Sequence, residues 1–520
     1  MTAEPIKYNS LLLSRLVTFA CTASLASGLF LIPWIQSTEA SSATWNLNPI
    51  TSDWSTAANW TPATIPNGPA DSATFDLSST RDISISSGIQ VASIAFNAGA
   101  SAFTISIGAS SGLIISGAGI TNNSGVAQNF VHTQVGTGLI QFLQNATAGS
   151  EIVFTNGGGG VMDFFDRSSA GNATVINNGT APGISGGATS FFDDSTAANG
   201  TLINEKPTGG STFGGLTGFH NRSTAGASSV ISYAGATTEF LDAATAGNSS
   251  LIANGGSIEF SNKSMGETSR VEIFGFGQID ISPHDAPGLT IGSLEGDSYV
   301  FLGKNNLTVG TNSLSTVFSG LIQDGGLQGG TGGSLTKVGT GTLTLGGANL
   351  YTGGTVLSNG ELTINNTAGS GTGSGAVLIN GGTLRGRGVI AGAVTVGTGA
   401  FLAPGNKGRR PGTLTIQSTL TFKTDATYTY RLSFKRAEAA KVVADGVSVE
   451  SSALFSSVGV GAGKLSAGTV FTAISNTAAT PIAGTFANLP DHSSFSAGNN
   501  TFEVTYEGGD GNDLTLTVVP

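Results

Sequence analysis

Asp166, Asp193 and Asp242 each stand two residues after a phenylalanine that leads a repeated segment, and Gln144, Asn221 and Asn262 hold the same offset in the other copies. If such segments stack, neighbouring carboxyls fall within the ~5–9 Å that an acid pair needs to hydrolyse a glycosidic bond. Asp163, Asp194 and Glu239 lie nearby in sequence. A structural reading competes with this one. Asp and Asn alternating at one repeat position are turn formers, and ladders of them occupy solenoid corners. That reading is the stronger, so the three aspartates stand as the catalytic set only of an alternative, a polysaccharide lyase or hydrolase.

A second group, Asp510, Asn512 and Asp513, lies in "GGDGNDLTL", which fits one copy of the calcium-binding β-roll nonapeptide. Ca²⁺ takes six to eight oxygens, supplied in a β-roll by several stacked copies. Nothing before Gly508 repeats the motif, so the expected structure is a hairpin between "FEVTY" and "LTLTVV", with metal binding as the weak alternative. His132, His220, His284 and His492 share no repeat position and no metal-ligand spacing, and His220 replaces Phe or Leu at a core-edge position. No G-x-S-x-G elbow precedes a helical pattern. Gly157 to Gly160 is followed by neither a Lys-Ser/Thr pair nor a helix, which excludes a phosphate loop. Lys407, Arg409 and Arg410 read as a solvated turn before they read as a grip on an acidic glycan. No cofactor is implied.

The elements that position these residues are strands. The chain has 78 glycines among 520 residues and only 10% charge, and apolar residues at helical spacing are nearly absent, so short strands and tight turns are expected. A net charge of −11 excludes nucleic acid and anionic membranes as electrostatic partners. Lys7 and Arg15 precede an apolar run, Leu16 to Ile35, and small residues follow it, which reads as an export signal over residues 1–40, cut after Ala40. Cleavage removes Cys21, the single cysteine, and with it any disulfide or thiol nucleophile. The other reading of Leu16 to Ile35 is an uncleaved anchor.

The leading phenylalanines Phe142, Phe164, Phe191, Phe219, Phe240 and Phe260 are 22, 27, 28, 21 and 20 residues apart. Between them lie "EIVFTNGG", "ATVINNGT", "GTLINEKP", "SSVISYAG" and "SSLIANGG", each read as a short apolar strand running into a polar turn. This period fits a solenoid whose coils bury their inward side chains by stacking, with phenyl rings ~4.8 Å apart along the axis. A second set begins at Ser334, with "LTL", "LTI", "VTV", "LTI" and "LTF" starting at residues 343, 362, 394, 414 and 420. Gly346–Gly347, Gly353–Gly354 and Gly381–Gly382 are expected at positive-φ corners. The pattern divides the chain into a first cap at 41–115, Phe-led coils at 116–333, the second set at 334–420 and a strand-rich cap at 421–520. Trp45, Trp54 and Trp60, with Phe75, are expected to cover the first end, and a sugar-binding platform is the lesser reading.

The run "GSLTKVGTGTLTLGGANLYTGGTVLSNGELTI", with "FLAPGNKGRRPGTLTI" after it, resembles the autotransporter-associated β-strand repeat proteins, also called passenger-associated transport repeat proteins. The resemblance implies an all-β, right-handed parallel β-helix of the pectin-lyase-like kind, exported to the surface of a Gram-negative-type bacterium. It implies no activity, because the family is defined by a repeat. The chain reaches Pro520 without translocator-barrel strands, so the expectation is either a truncated chain or export machinery on another chain. The expected role is structural or adhesive without catalysis, with surface glycans or further copies of the chain as partners.

Overall fold

The computed structural model describes residues 41–520 apart from 133–135, 211 and 409–410. The export-signal reading of residues 1–40, with Cys21, and the cations Arg409 and Arg410 lie outside the described residues. Ser41–Pro520 packs as one unit.

Alternation in short strands decides the architecture. Val161–Phe164, Ala188–Phe191 and Thr237–Phe240 each bury every second side chain, so one face of each strand must be covered. Coiling supplies the cover: each strand pairs in parallel with its counterpart one coil on, giving a parallel β-helix of about 17 turns. A front sheet runs from Trp60–Thr61 through Ala43–Trp45 to Leu321–Gln323. A back sheet carries Ser150–Asn156, Asn172–Asn177, Thr201–Asn204 and their successors. From Gly288–Ile291 onward a third sheet of eight strands joins the coil.

The phenylalanines keep their expected place. Phe142, Phe164, Phe191, Phe219, Phe240 and Phe260 share one register position inside the coil. Their ring centroids follow at 4.9, 4.6, 4.9, 4.7 and 4.6 Å, nearly parallel. The spacing is that of the strands themselves, so the rings stack without bending the backbone. The two longest coils place their extra residues between the back and front strands, at 178–187 and 205–215.

The "polar turn" reading of the second motif is wrong at its first polar residue. Asn156, Asn177, Asn204 and Ser232 point inward and are fully buried. Asn156 Nδ2 donates to Asn177 Oδ1 (2.7 Å), Asn177 Nδ2 to Asn204 Oδ1 (2.8 Å), and Asn204 Nδ2 to Ser232 Oγ (3.1 Å). Strand alternation, continued one residue beyond the apolar run, points these side chains into the core. His132 heads this ladder, its Nδ1 3.0 Å from Asn156 Oδ1, and burial pushes the imidazole down to about 4.

The paired glycines also divide their work. Of the six, only Gly354 and Gly382 have positive φ, at 96° and 74°. Gly347 answers a different need, since a Cβ there would lie 1.8 Å from the Gly320 carbonyl oxygen one coil below.

At the first end, Trp45, Trp54, Trp60 and Phe75 are buried and pack edge-on or tilted, with Trp45–Trp60 and Trp54–Trp60 centroids both 5.0 Å apart. Buried rings offer no face to a sugar, so the platform reading is set aside. The strand Ala43–Trp45 pairs antiparallel with Trp60–Thr61, which closes the open edge. Past residue 421 the chain still coils: Thr427–Ser433 pairs in parallel with Leu454–Val460, and Lys441–Ala444 with Val470–Asn476. Antiparallel pairing of Val470–Asn476, Asp513–Val519, Asn500–Gly508 and Ser494–Ala497 then ends the stack.

Candidate functional site

Asp166, Asp193 and Asp242 share one corner with Gln144, Asn221 and Asn262, and all six are left-handed, with φ between 54° and 59°. Asn and Asp tolerate this conformation better than other residues with a Cβ. Four of these side chains, those of Asp166, Asp193, Asn221 and Asp242, also satisfy the coil before them. The Gln144 N–H donates to Asp166 Oδ2 (2.8 Å), Asp166 N–H to Asp193 Oδ2 (3.2 Å), Asp193 N–H to Asn221 Oδ1 (3.1 Å), and Asn221 N–H to Asp242 Oδ2 (2.9 Å). The candidate carboxylates are thus exposed rungs that accept backbone hydrogens. Asp194, next door, is held bidentate by Arg222 at 2.8 Å, and that hydrogen-bonded guanidinium keeps its carboxyl below the usual range.

A different carboxyl row lies on the outer side of the front sheet. Gln141, Asp163, Ser190, Gly218, Glu239, Glu259 and Asp280 occupy one register position on successive coils. Burial pushes Asp163 up to about 7, against a smaller opposing effect of the Gln141 side chain. Burial also lifts Glu239 to about 7, helped by the charge of Glu259. Glu259 rises to about 7 by burial and by Asp280, although the Ser257 hydroxyl donates to it at 3.0 Å. Glu259 and Asp280 escaped the sequence reading, yet for Glu259 a signal was present: the residue just before a leading Phe is acidic in three of the six copies. Chemically, Glu239 and Glu259 are neighbouring acids whose ionisation is disfavoured, chiefly by burial. The row is a flat face. A shallow depression of about 340 Å³ lies elsewhere, bordered by Lys263, Met265, Glu267, His284 and Asp285.

His132, His220 and His284 act as packing and bracing groups, whereas His492 is exposed beside Asp491. His220 continues an outer ring stack, Phe165–Phe192–His220, with centroids 4.9 and 4.7 Å apart. Both ring nitrogens of His284 lie 2.6 Å from carbonyl oxygens, those of Asp285 and Ser264. Among the described residues no group of three or more His, Cys, Asp or Glu is placed to hold a metal ion.

"GGDGNDLTL" forms the turn between Asn500–Gly508 and Asp513–Val519. Asp513 Oδ1 accepts the Asn476 N–H at 2.8 Å and Asn512 Nδ2 donates to the Ala478 carbonyl, while Asp510 is exposed. Asn512 and Asp513 are therefore already used in bracing the strand beneath.

The second repeat set has its own buried polar groups. Lys337 holds a core position between Val309 and Leu357, and its ammonium donates to the carbonyls of Val338 and Gly339. Burial draws it down to about 8. Asn349 Oδ1 accepts from Ile322 N–H in the coil below (2.9 Å), and its Nδ2 donates to the Gly371 carbonyl in the coil above (2.7 Å). Tyr351 is buried, with its hydroxyl 2.6 Å from Thr355 Oγ1. Lys337, Asn349 and Tyr351 thus answer backbone or hydroxyl groups of the stack.

Residues 335–364 match the passenger-associated-transport-repeat family. The Adhesin BmaC autotransporter of Brucella suis biovar 1 (strain 1330) is 36% identical over 124 residues, which is 23% of this chain and 4% of that protein. Among solved structures, the Haemophilus influenzae Hap adhesin aligns over 86% of this chain and 63% of its own, at 11% identity and a TM-score of 0.26. So low a score supports no argument. The chain carries the passenger-associated transport repeat within a parallel β-helix.

Proposed function

We propose that the chain is an exported, surface-displayed β-helical rod that adheres through its outer faces without catalysis. The similarity to an autotransporter adhesin carries this reading. The geometry is consistent with it: the Asp166, Asp193 and Asp242 carboxylates are occupied as corner rungs, and the outer carboxyls lie on a flat sheet face. Repeated outward positions on successive coils suit weak multivalent contact with surface glycans or with further copies of the chain.

Two measurements test the proposal. Protease shaving of intact cells should release fragments of residues 41–520, and recovery of the protein only from the cytoplasm would sink it. The purified chain should bind target cells or immobilised glycans, with Asp193→Ala binding equally well. Turnover of an acidic polysaccharide that Asp193→Ala abolishes would replace the adhesive reading with the enzymatic one.

A further inference from the structure

One strand edge is left open at the second end of the rod. Leu454–Val460 lies on Thr427–Ser433 in seven consecutive register pairs. A capping segment crosses above it: Ala487 N–H donates to the Ala453 carbonyl, and the Asn488 side chain both accepts from Phe455 N–H (2.8 Å) and donates to the Phe455 carbonyl (2.7 Å). The cap then turns away, with Leu489 N–H returning to the Phe486 carbonyl. Strand alternation points the N–H and C=O of Ser457 and Gly459 to the same side as those of Phe455. No hydrogen bond from another described residue reaches them on that side. Ser456, Ser457, Val458 and Gly459 are all exposed.

Natural edge strands are usually blunted by a charge or a proline, and "LFSSVGV" has neither. The charges stand at its end instead. Lys435, Arg436 and Lys464 are exposed and form no salt bridge among the described residues. A Cβ on Gly461, just past the strand, would lie 3.8 Å from the Lys435 Cβ. In a chain of net charge −11, the open edge therefore ends beside three cations.

We propose that this edge takes up an extended acidic peptide segment of a partner protein by strand addition. Ser457 and Gly459 supply the main-chain hydrogen bonds, and Lys435, Arg436 and Lys464 receive its carboxylates. The inference is independent of the adhesive reading, since it concerns the end of the rod and not its faces.

The test uses the exported chain and a labelled short peptide alternating threonine and glutamate, followed by fluorescence anisotropy. Saturable binding is expected, about tenfold or more tighter than for the lysine counterpart. Ser457→Pro removes an outward N–H that has no internal partner, so it should cost about tenfold in affinity while Tm stays constant. The double variant Lys435→Glu with Lys464→Glu should reverse the peptide preference. Should Ser457→Pro fold poorly, a glutamate peptide N-methylated along its pairing edge serves instead, and it should not bind the wild-type chain. Equal binding of both peptides, or none up to about 1 mM, overturns the proposal. So does a dimer that Ser457→Pro dissolves and the charge reversals leave intact, because the occupant is then a second copy.

Discussion

The Phe-led coils and the coils after Ser334 share one stack but turn their corners by different means. In the first, residues with a Cβ join glycines in the left-handed region, and their side chains accept the backbone N–H one coil back. In the second, glycines take the corners, and buried Lys337, Asn349 and Tyr351 tie the coil from inside. The cores follow suit: stacked phenyl rings in one, Leu343, Leu345, Leu362 and Ile364 in the other. At the left-handed corners of the first coils a side chain has room and a partner, while close backbone approach excludes a Cβ elsewhere in both regions, as at Gly186 in the first and Gly347 in the second. Coil rise is common to both, and tolerance to substitution is not.

That contrast sets an order of expected effects. Phe191→Ala, in the middle of the ring stack, should cost about 3–5 kcal/mol, more than Leu345→Ala, because it also removes two stacked contacts. Equal losses of stability in thermal or urea unfolding would mean that the rings only fill space. Next, Gly347→Ala should destabilise by about 1–3 kcal/mol through backbone displacement, while Asp166→Ala at a roomy corner should cost less than half of that.

A pH dependence should distinguish the halves more gently. Glu239 and Glu259 are raised in the folded state to about 7, so between about 4.5 and 7 the folded chain holds protons that the unfolded chain has lost. The carboxyl contribution is therefore favourable below that window, declines as pH rises through it, and is flat above. Each unit of separation is worth about 1.4 kcal/mol. Tm should thus be higher at pH 5 than at pH 7.5, and Glu239→Gln with Glu259→Gln should shrink the difference; an unchanged pH profile in that variant refutes the assignment. The smallest effect expected is that of Asp193→Gly, within about 1 kcal/mol, since glycine keeps the left-handed corner and loses one exposed hydrogen bond. A larger loss in Tm would show that the corner ladder carries more of the stack than its exposure suggests.

The ring stack was legible because phenylalanine recurs with a period that only coiling can bury, and the final hairpin because two alternating strands flank a glycine-rich turn. The inward Asn156, Asn177 and Asn204 were not, since an asparagine that ends a strand and one that opens a turn follow the same apolar run. Only strand phase separates them, and one residue of phase moves a side chain to the other face. Burial of the tryptophans likewise depends on a strand returning antiparallel over the first coil, which no repeat announces. Asp163, Glu239 and Glu259 were visible as the residue before three of the six leading phenylalanines, but Asp280 stands before Ile281, and only the register of the stacked strands adds it to their row.

Near-identical coils carry a hazard: a chain folding along a rod can skip or double a turn and still bury nearly the same apolar area. The asparagine ladder has distinguishable ends, His132 at one and, past Ser232, Ala253 at the other. A skipped turn would set an amide against that methyl group and leave its hydrogens unanswered inside the core. The ladder thus works as a tally of coils, penalising miscounts that hydrophobic burial alone would overlook.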